Sequence, residues 1–224
     1  LSAADRSAEA PGERLKITEI FHSLQGEAQF AGVPSVFVRL TGCPLRCHYC
    51  DTAYAFHGGE WWTLPAIVAR VAEFSTHDVC VTGGEPLAQR ACAPLLTALC
   101  DAGHRVSLET SGALPVDALD ARVIRVVDVK TPGSGESARN LYPQLATLHA
   151  QDQVKFVITS RDDYEWSRER VSTLGLATRC GVLFSPSHGQ VEPRALAEWI
   201  LSDRLPVRFQ IQLHKYLWGE ERGR

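Results

Sequence analysis

The sequence predicts an α/β protein, a partial and open (β/α)6-type barrel with parallel strands. From Leu15 onward, β-like and α-like patterns alternate along the 224 residues, the order that builds a parallel sheet through helical crossovers. The strand segments are runs of branched and aromatic residues, as in a sheet covered on both faces. The six or seven strand–helix units that this length accommodates are too few for an eightfold barrel.

"LKITEIF" and "SVFVRLTG" are the first strands. In "TLPAIVARVAEF" the spacing of Ile67, Val68, Val71 and Phe74 is helical, with Thr63 as N-cap. "DVCVTGG" is a strand, "LAQRACAPLLTALCDAG" a helix stopped at Gly103, "RVSLETSG" a strand and "PVDALD" a short helix. "VIRVVDVK" is a strand, and "SARNLYPQLATLHA" a helix that Pro143 must kink or shorten. "QVKFVITS", "DYEWSRERVSTLG", "GVLFSP" and "PRALAEWILSD" alternate strand with helix, and "VRFQIQLH" closes the series as a strand. There is no internal repeat or interdomain linker, so residues 15–224 are expected to form a single domain.

The opening "LSAADRSAEAPGER" has no apolar core, so it is not a secretory signal, and residues 1–14 are expected to be a disordered tail. The chain opens on Leu1 and lacks methionine, so a start residue or tag is expected to be missing from this numbering. A net charge of −3 lacks the basic footprint of a nucleic-acid binder, and no apolar run reaches membrane-span length. Seven cysteines, an odd number in a chain this long, do not suggest a disulfide framework and place the protein in the cytosol. Cys80, Cys92, Cys100 and Cys180 are scattered and read as small buried hydrophobes.

Polar clusters fall where predicted strands end: "TGC", "TGGEP", "ETSG", "DVK", "SPSHG" and "QLH". Parallel α/β sheets bind ligands at that edge, so the pattern is that of an enzyme. Cys43, Cys47 and Cys50 lie in "TGCPLRCHYCDT" with no fourth cysteine nearby. A structural zinc site is closed by four ligands and would need a remote one, Cys80 or His57. A four-iron cluster held by three thiolates instead keeps one iron open to a small ligand. The residues alone admit both readings.

The stretch "CPLRCHYC", with Tyr49 before the last cysteine, resembles the C-x3-C-x2-C signature of radical S-adenosylmethionine enzymes, and Thr82 to Pro86 resembles their glycine-rich strand end. "EIFHSLQGEAQFAGVPSVFVRLTGCPLRCHYCDT" and "QLHKYLWGEERG" resemble the 7-carboxy-7-deazaguanine synthase family, from about Leu15 to the C-terminus with a poorer middle. That resemblance implies a radical SAM core, a [4Fe-4S] cluster, S-adenosylmethionine and Mg2+. It implies conversion of the small-molecule pterin 6-carboxy-5,6,7,8-tetrahydropterin to 7-carboxy-7-deazaguanine with loss of ammonia, by a lyase of queuosine and deazapurine biosynthesis. It further implies a homodimer and an electron donor such as flavodoxin. A glycyl-radical-enzyme activase and a zinc-binding module are the alternatives.

By the same resemblance Cys43, Cys47 and Cys50 hold the cluster and Thr52 the magnesium. Leu24, Gln25, Gly26, Glu27, Arg39, Thr82 and His214 meet the substrate. Gln25 with Glu27 can offer donor and acceptor to a pterin edge, and the fork of Arg39 suits a carboxylate or an internal ion pair. Tyr49, Asp51, Gly84, Asp128, Val129, Lys130, Ser185, Pro186, Ser187 and His188 are placed on the cofactor. Asp128-Val129-Lys130 stands where the family often has Ser-Pro-Lys. Glu109 and Ser111 are expected at the same rim, and Gly83 and Gly84 are expected to admit the cofactor's methionine moiety.

Overall fold

The computed structural model describes residues 14–224. One nine-stranded sheet runs through it in the order β3-β1-β2-β4-β5-β6-β7-β8-β9. The strands are β1 (Arg14–Leu24), β2 (Pro34–Leu40), β3 (Glu60–Thr63), β4 (Asp78–Gly83), β5 (Arg105–Thr110), β6 (Ile124–Asp128), β7 (Gln153–Ile158), β8 (Gly181–Pro186) and β9 (Arg208–Phe209). From β2 to β9 every neighbouring pair is parallel. Among the described residues β3 and β9 are the edges of this sheet, so the barrel is partial and open, as expected. The expected tail lies outside the described residues except for Arg14, which already belongs to β1.

Two strands depart from the parallel expectation. β1 runs antiparallel to both β2 and β3, because the β1–β2 connection is a short loop without a crossover helix. β3, in "EWWT", was hidden by its position just before the first helix.

Helices α1 (Leu64–Ala72), α2 (Cys92–Asp101), α3 (Arg161–Thr173) and α4 (Pro193–Asp203) cover one face. The Thr63 side chain caps α1 by accepting from the Ala66 N–H at 3.3 Å. Val36, Val38, Leu40, Val79, Val81, Val106 and Leu108 alternate into a core shared with α1 and α2. Val127, Val129, Val154, Phe156, Ile158 and Phe184 do the same beneath α3 and α4. The period-two pleat turns the intervening residues to the inner face: Phe37, Arg39, Thr82, Glu109, Val126, Asp128, Lys155 and Val157 all line one cavity.

The crossovers after β5 and β6 carry no α-helix. "PVDALD" forms turns, being too short to repay helix nucleation. The expected helix over 137–150 breaks into 3-10 turns at Ser137–Arg139 and Tyr142–Thr147, with Pro143 inside the second. "VRFQIQLH" makes only the two-residue β9, extended by the Gln210 N–H donating to Phe184 O at 3.1 Å. The chain then turns into α5 (Leu213–Trp218), pinned by the Leu213 N–H donating to Gly26 O at 2.9 Å. No helix among the described residues is long and apolar enough to cross a membrane.

Candidate active site

The carboxyl ends of the parallel strands surround a cavity of about 540 Å³. Cys43, Cys47 and Cys50 line it from the loop after β2; all three are free and half-buried. Burial pushes the Cys47 thiol up to about 11 and moves Cys43 and Cys50 in the same direction. Thiolates here therefore need a cation beside them. Cys80, Cys92, Cys100 and Cys180 are buried, and neither they nor His57 line the cavity. Among the described residues the cavity thus holds three thiols and no fourth, the set that leaves one iron of a four-iron cluster open to a small ligand.

The glycine-rich strand end serves the protein itself. A Cβ on Gly83 (φ +150°) would lie 2.3 Å from Leu40 O, and one on Gly84 2.1 Å from Gly42 O. Both glycines let β4 press against the root of the cysteine loop, where the Glu85 N–H donates to Gly42 O at 2.8 Å. The sequence reading assigns their small size to ligand access; the close neighbour is the loop backbone, although both glycines also line the cavity. Glu85 is fully buried. Its carboxylate accepts from the Leu87 N–H (3.0 Å), Thr110 Oγ1 (2.9 Å), the Ser111 N–H (2.6 Å) and Ser111 Oγ (2.5 Å), tying the ends of β4 and β5 together.

Beside the cysteines, the Thr52 hydroxyl donates to Asp51 Oδ1 at 2.7 Å. Burial works against the charge on Asp51, but Thr52, then Lys215 and His214, prevail and hold its carboxyl below the usual range. Lys130 lies 2.9 Å from Asp128 and its ammonium 5.9 Å from the centre of the Tyr49 ring. Burial opposes its charge too, but Asp128 and Tyr49 keep it well above the ordinary lysine value. Tyr49 Oη and Asp128 Oδ1 are buried and have no hydrogen-bond partner among the described residues. Two orphaned polar atoms on this wall fit a polar ligand such as S-adenosylmethionine.

Opposite stand the residues expected to meet the substrate. Gln25 Nε2 donates to Glu109 Oε1 at 3.3 Å and Thr82 Oγ1 to Glu109 Oε2 at 3.1 Å. Arg39 uses Nε to hold Glu19 at 2.7 Å, so the internal ion pair is present. The same Glu19 oxygen accepts from Tyr54 Oη at 2.7 Å, and burial pushes the Tyr54 phenol up to about 12. Among the described residues the two terminal nitrogens of Arg39 make no hydrogen bond, leaving its fork to the cavity. Gly26 lacks a side chain because a Cβ would meet His214 Nδ1 at 2.2 Å. His214 lines the cavity from α5, not from a strand end as expected.

Leu24, Gln25, Gly26, Glu27, Arg39, Tyr49, Asp51, Thr52, Thr82, Gly84, Asp128, Lys130, Ser187 and His188 are brought together on this one cavity with the three cysteines and His214. Val129, Ser185 and Pro186 do not line it. Val129 packs in the core under the helices, on the outer phase of the pleat. Lys155, Gln212, Lys215 and Glu220 also line the cavity and were not anticipated. Lys155 had a signal: a lone charge between Val154 and Phe156 in an apolar strand. Gln212 stands in the "QLH" cluster, and Lys215 and Glu220 in the "QLHKYLWGEERG" segment that resembles the family, but their reach to the cavity depends on where α5 folds back.

The Radical SAM superfamily pattern matches residues 37–127. The 7-carboxy-7-deazaguanine synthase of Chlorobaculum tepidum is 47% identical over 218 residues, 96% of this chain and 98% of that protein. The synthase of Koribacter versatilis is 41% identical over 222 residues, 92% of this chain and 98% of its own. The crystal structure of QueE from Escherichia coli superposes with a TM-score of 0.74 at 25% identity, covering 90% of this chain and 95% of that one. Superfamily membership implies a [4Fe-4S] cluster and S-adenosylmethionine, for which the three thiols and the unpartnered polar wall are suited. With this cavity and these relatives along nearly its whole length, the chain belongs to the 7-carboxy-7-deazaguanine synthase family of radical SAM enzymes.

Proposed function

We propose that the protein converts 6-carboxy-5,6,7,8-tetrahydropterin to 7-carboxy-7-deazaguanine with release of ammonia, as a cytoplasmic homodimer reduced by a flavodoxin-type donor. The observation that carries this reading is the sharing of one cavity by three free thiols and by the Gln25, Glu27, Arg39 and Thr82 wall. Cys43, Cys47 and Cys50 would hold three irons. Tyr49, Asp51, Asp128, Lys130, Ser187 and His188 would line the S-adenosylmethionine side. Bound together, a reduced cluster and that cofactor supply a hydrogen-abstracting alkyl radical.

The chain's own residues then bind and orient. The free edge of the Arg39 guanidinium suits the substrate carboxylate bidentately. Glu27 accepts and Gln25 both donates and accepts along the amide and amino edge of a pterin. The Thr52 oxygen, whose proton is committed to Asp51, keeps its lone pairs for a magnesium ion that the substrate carboxylate and waters would complete. The test is anaerobic reconstitution followed by turnover with a chemical reductant. The reading requires about four irons per chain and formation of the deazapurine acid; a colourless protein holding one zinc, or glycyl-radical formation on a partner protein without pterin turnover, refutes it.

A further inference from the structure

β7 places a lysine where the sheet is otherwise apolar. Lys155 alternates with Val154 and Phe156, which are fully buried in the core beneath the helices, so the pleat sends its side chain inward. Burying an ammonium is costly unless anions receive it. Two do: Glu27 Oε2 at 2.5 Å and Asp128 Oδ2 at 3.7 Å, the latter from the residue paired with Lys155 across β6 and β7. Burial works against the charge on Lys155, but Glu27 and then Asp128 hold it well above its ordinary value. Lys130 lies 2.9 Å from the same Asp128 oxygen, so charges of alternating sign run Glu27, Lys155, Asp128, Lys130 along the wall.

Glu27 is held from its other side as well. Its Oε1 accepts from Gln212 Nε2 at 2.9 Å. Ala28, the next residue, is a non-glycine at φ +61°, a strained conformation that persists only where its surroundings impose it. They do: the Ala28 N–H donates to Gln210 Oε1 at 2.9 Å and the Gln29 N–H to Gln153 Oε1 at 3.1 Å. The backbone turn aims Glu27 at Lys155, and Lys155 with Gln212 fixes both carboxylate oxygens. A carboxylate so held is an acceptor-only group in one orientation, the device that discriminates a ligand N–H from a ligand C=O.

We propose that Lys155 is a specificity-determining positioning residue that acts through Glu27, making the cavity select a 2-amino pyrimidine edge over a 2-oxo edge. This rests on the pterin reading above. Nothing requires Lys155 itself to touch the ligand.

The test titrates the anaerobic holoenzyme, with S-adenosylmethionine and without reductant, with 6-carboxypterin and with 6-carboxylumazine, which carries a 2-oxo group in place of the amine. Without turnover, calorimetry reads affinity alone. The unsubstituted enzyme is expected to prefer the pterin by about tenfold or more, the value of one charged hydrogen bond. Lys155→Met is expected to lose most of that preference by weakening the pterin and sparing the lumazine, and Lys155→Arg to retain it. Glu27→Gln is expected to lose the preference, and the Glu27→Gln, Lys155→Met pair to fall no further. Should Lys155→Met fail to fold because the wall then carries one anion too many, Lys155→Met with Asp128→Asn removes one charge of each sign and is judged by the same ratio. An unchanged ratio, or equal weakening of both acids, overturns the proposal. An unsubstituted enzyme that binds neither acid overturns the pterin reading and this inference with it.

Discussion

Replacing Gly84 by alanine should cost the protein its cluster more than its fold. The new methyl would sit 2.1 Å from Gly42 O, 2.6 Å from Gly42 C and 2.9 Å from Cys43 Cβ. Ordinary non-bonded contact begins near 3.5 Å, so the cysteine loop must retreat by about 1 Å or more. The obstacles are backbone and the Cβ of a cluster ligand, none of which can swing aside as a long side chain would. Overpacking of this kind costs about 1–3 kcal/mol, and the upper end applies. At this chain length each kcal/mol lowers Tm by roughly 2–4 °C, so a fall of about 6–12 °C follows. The assay is iron and sulfide per chain after anaerobic reconstitution, beside a thermal melt. Gly103→Ala is the control: φ there is +88° but no atom of the described residues lies within 4 Å of the added methyl. It should show only a left-handed backbone penalty of about 1–2 kcal/mol, with full iron. If Gly84→Ala binds iron fully and melts within about 2 °C of the unsubstituted protein, the glycine is not there for the loop and the reasoning fails.

Single replacement of Cys43, Cys47 or Cys50 by alanine should abolish stable cluster assembly, whereas Cys80→Ala and Cys180→Ala should retain about four irons per chain; iron analysis decides. Thr52→Ala should hold its cluster but lose most of the magnesium response of turnover, and an unaltered response would remove Thr52 from the metal. Arg125 and Asp152 form a buried pair that does not line the cavity, Nη2 to Oδ2 at 2.5 Å. Arg125→Met leaves the carboxylate its two backbone donors but no counter-charge and should destabilise by about 3–5 kcal/mol in denaturant titration, with cluster content unchanged in the folded fraction. Arg39→Lys replaces the fork with a point charge and should raise KM for the carboxylated pterin at least about tenfold with kcat less affected; equal loss in both would point to a structural role.

Much of this molecule was legible as periodicity. Val79 and Val81 facing the helices, with Thr82 at the strand end, follow from a pleat of two, and the polar clusters at "TGC", "TGGEP" and "DVK" meet on one cavity because parallel strands all end at one edge. The signal failed where local pattern was outvoted. "VRFQIQLH" alternates like a strand, yet it leaves the sheet after Phe209 and continues into α5 against Gly26. That contact joins residues far apart in sequence, and no window can display it. β3 was invisible because four residues beside a capped helix carry no period of their own. Ser185 and Pro186 were placed at the site by alignment of position alone, whereas the cavity begins beyond them, at Ser187, His188 and Gln190.

Glu85 has a consequence for how ligands come and go. With its carboxylate sealed from water and saturated by donors from β5 and its own turn, the base of the chamber behaves as a rivet, unable to breathe without breaking several bonds at once. The opposite wall is built otherwise: Lys215 and Glu220, paired at 2.7 Å, belong to a C-terminal segment whose Tyr216 and Leu217 stand exposed to water. Tethering the segment from Leu213 onward to the sheet should therefore slow release of a bound ligand before it disturbs anything beneath, which a stopped-flow release measurement checks.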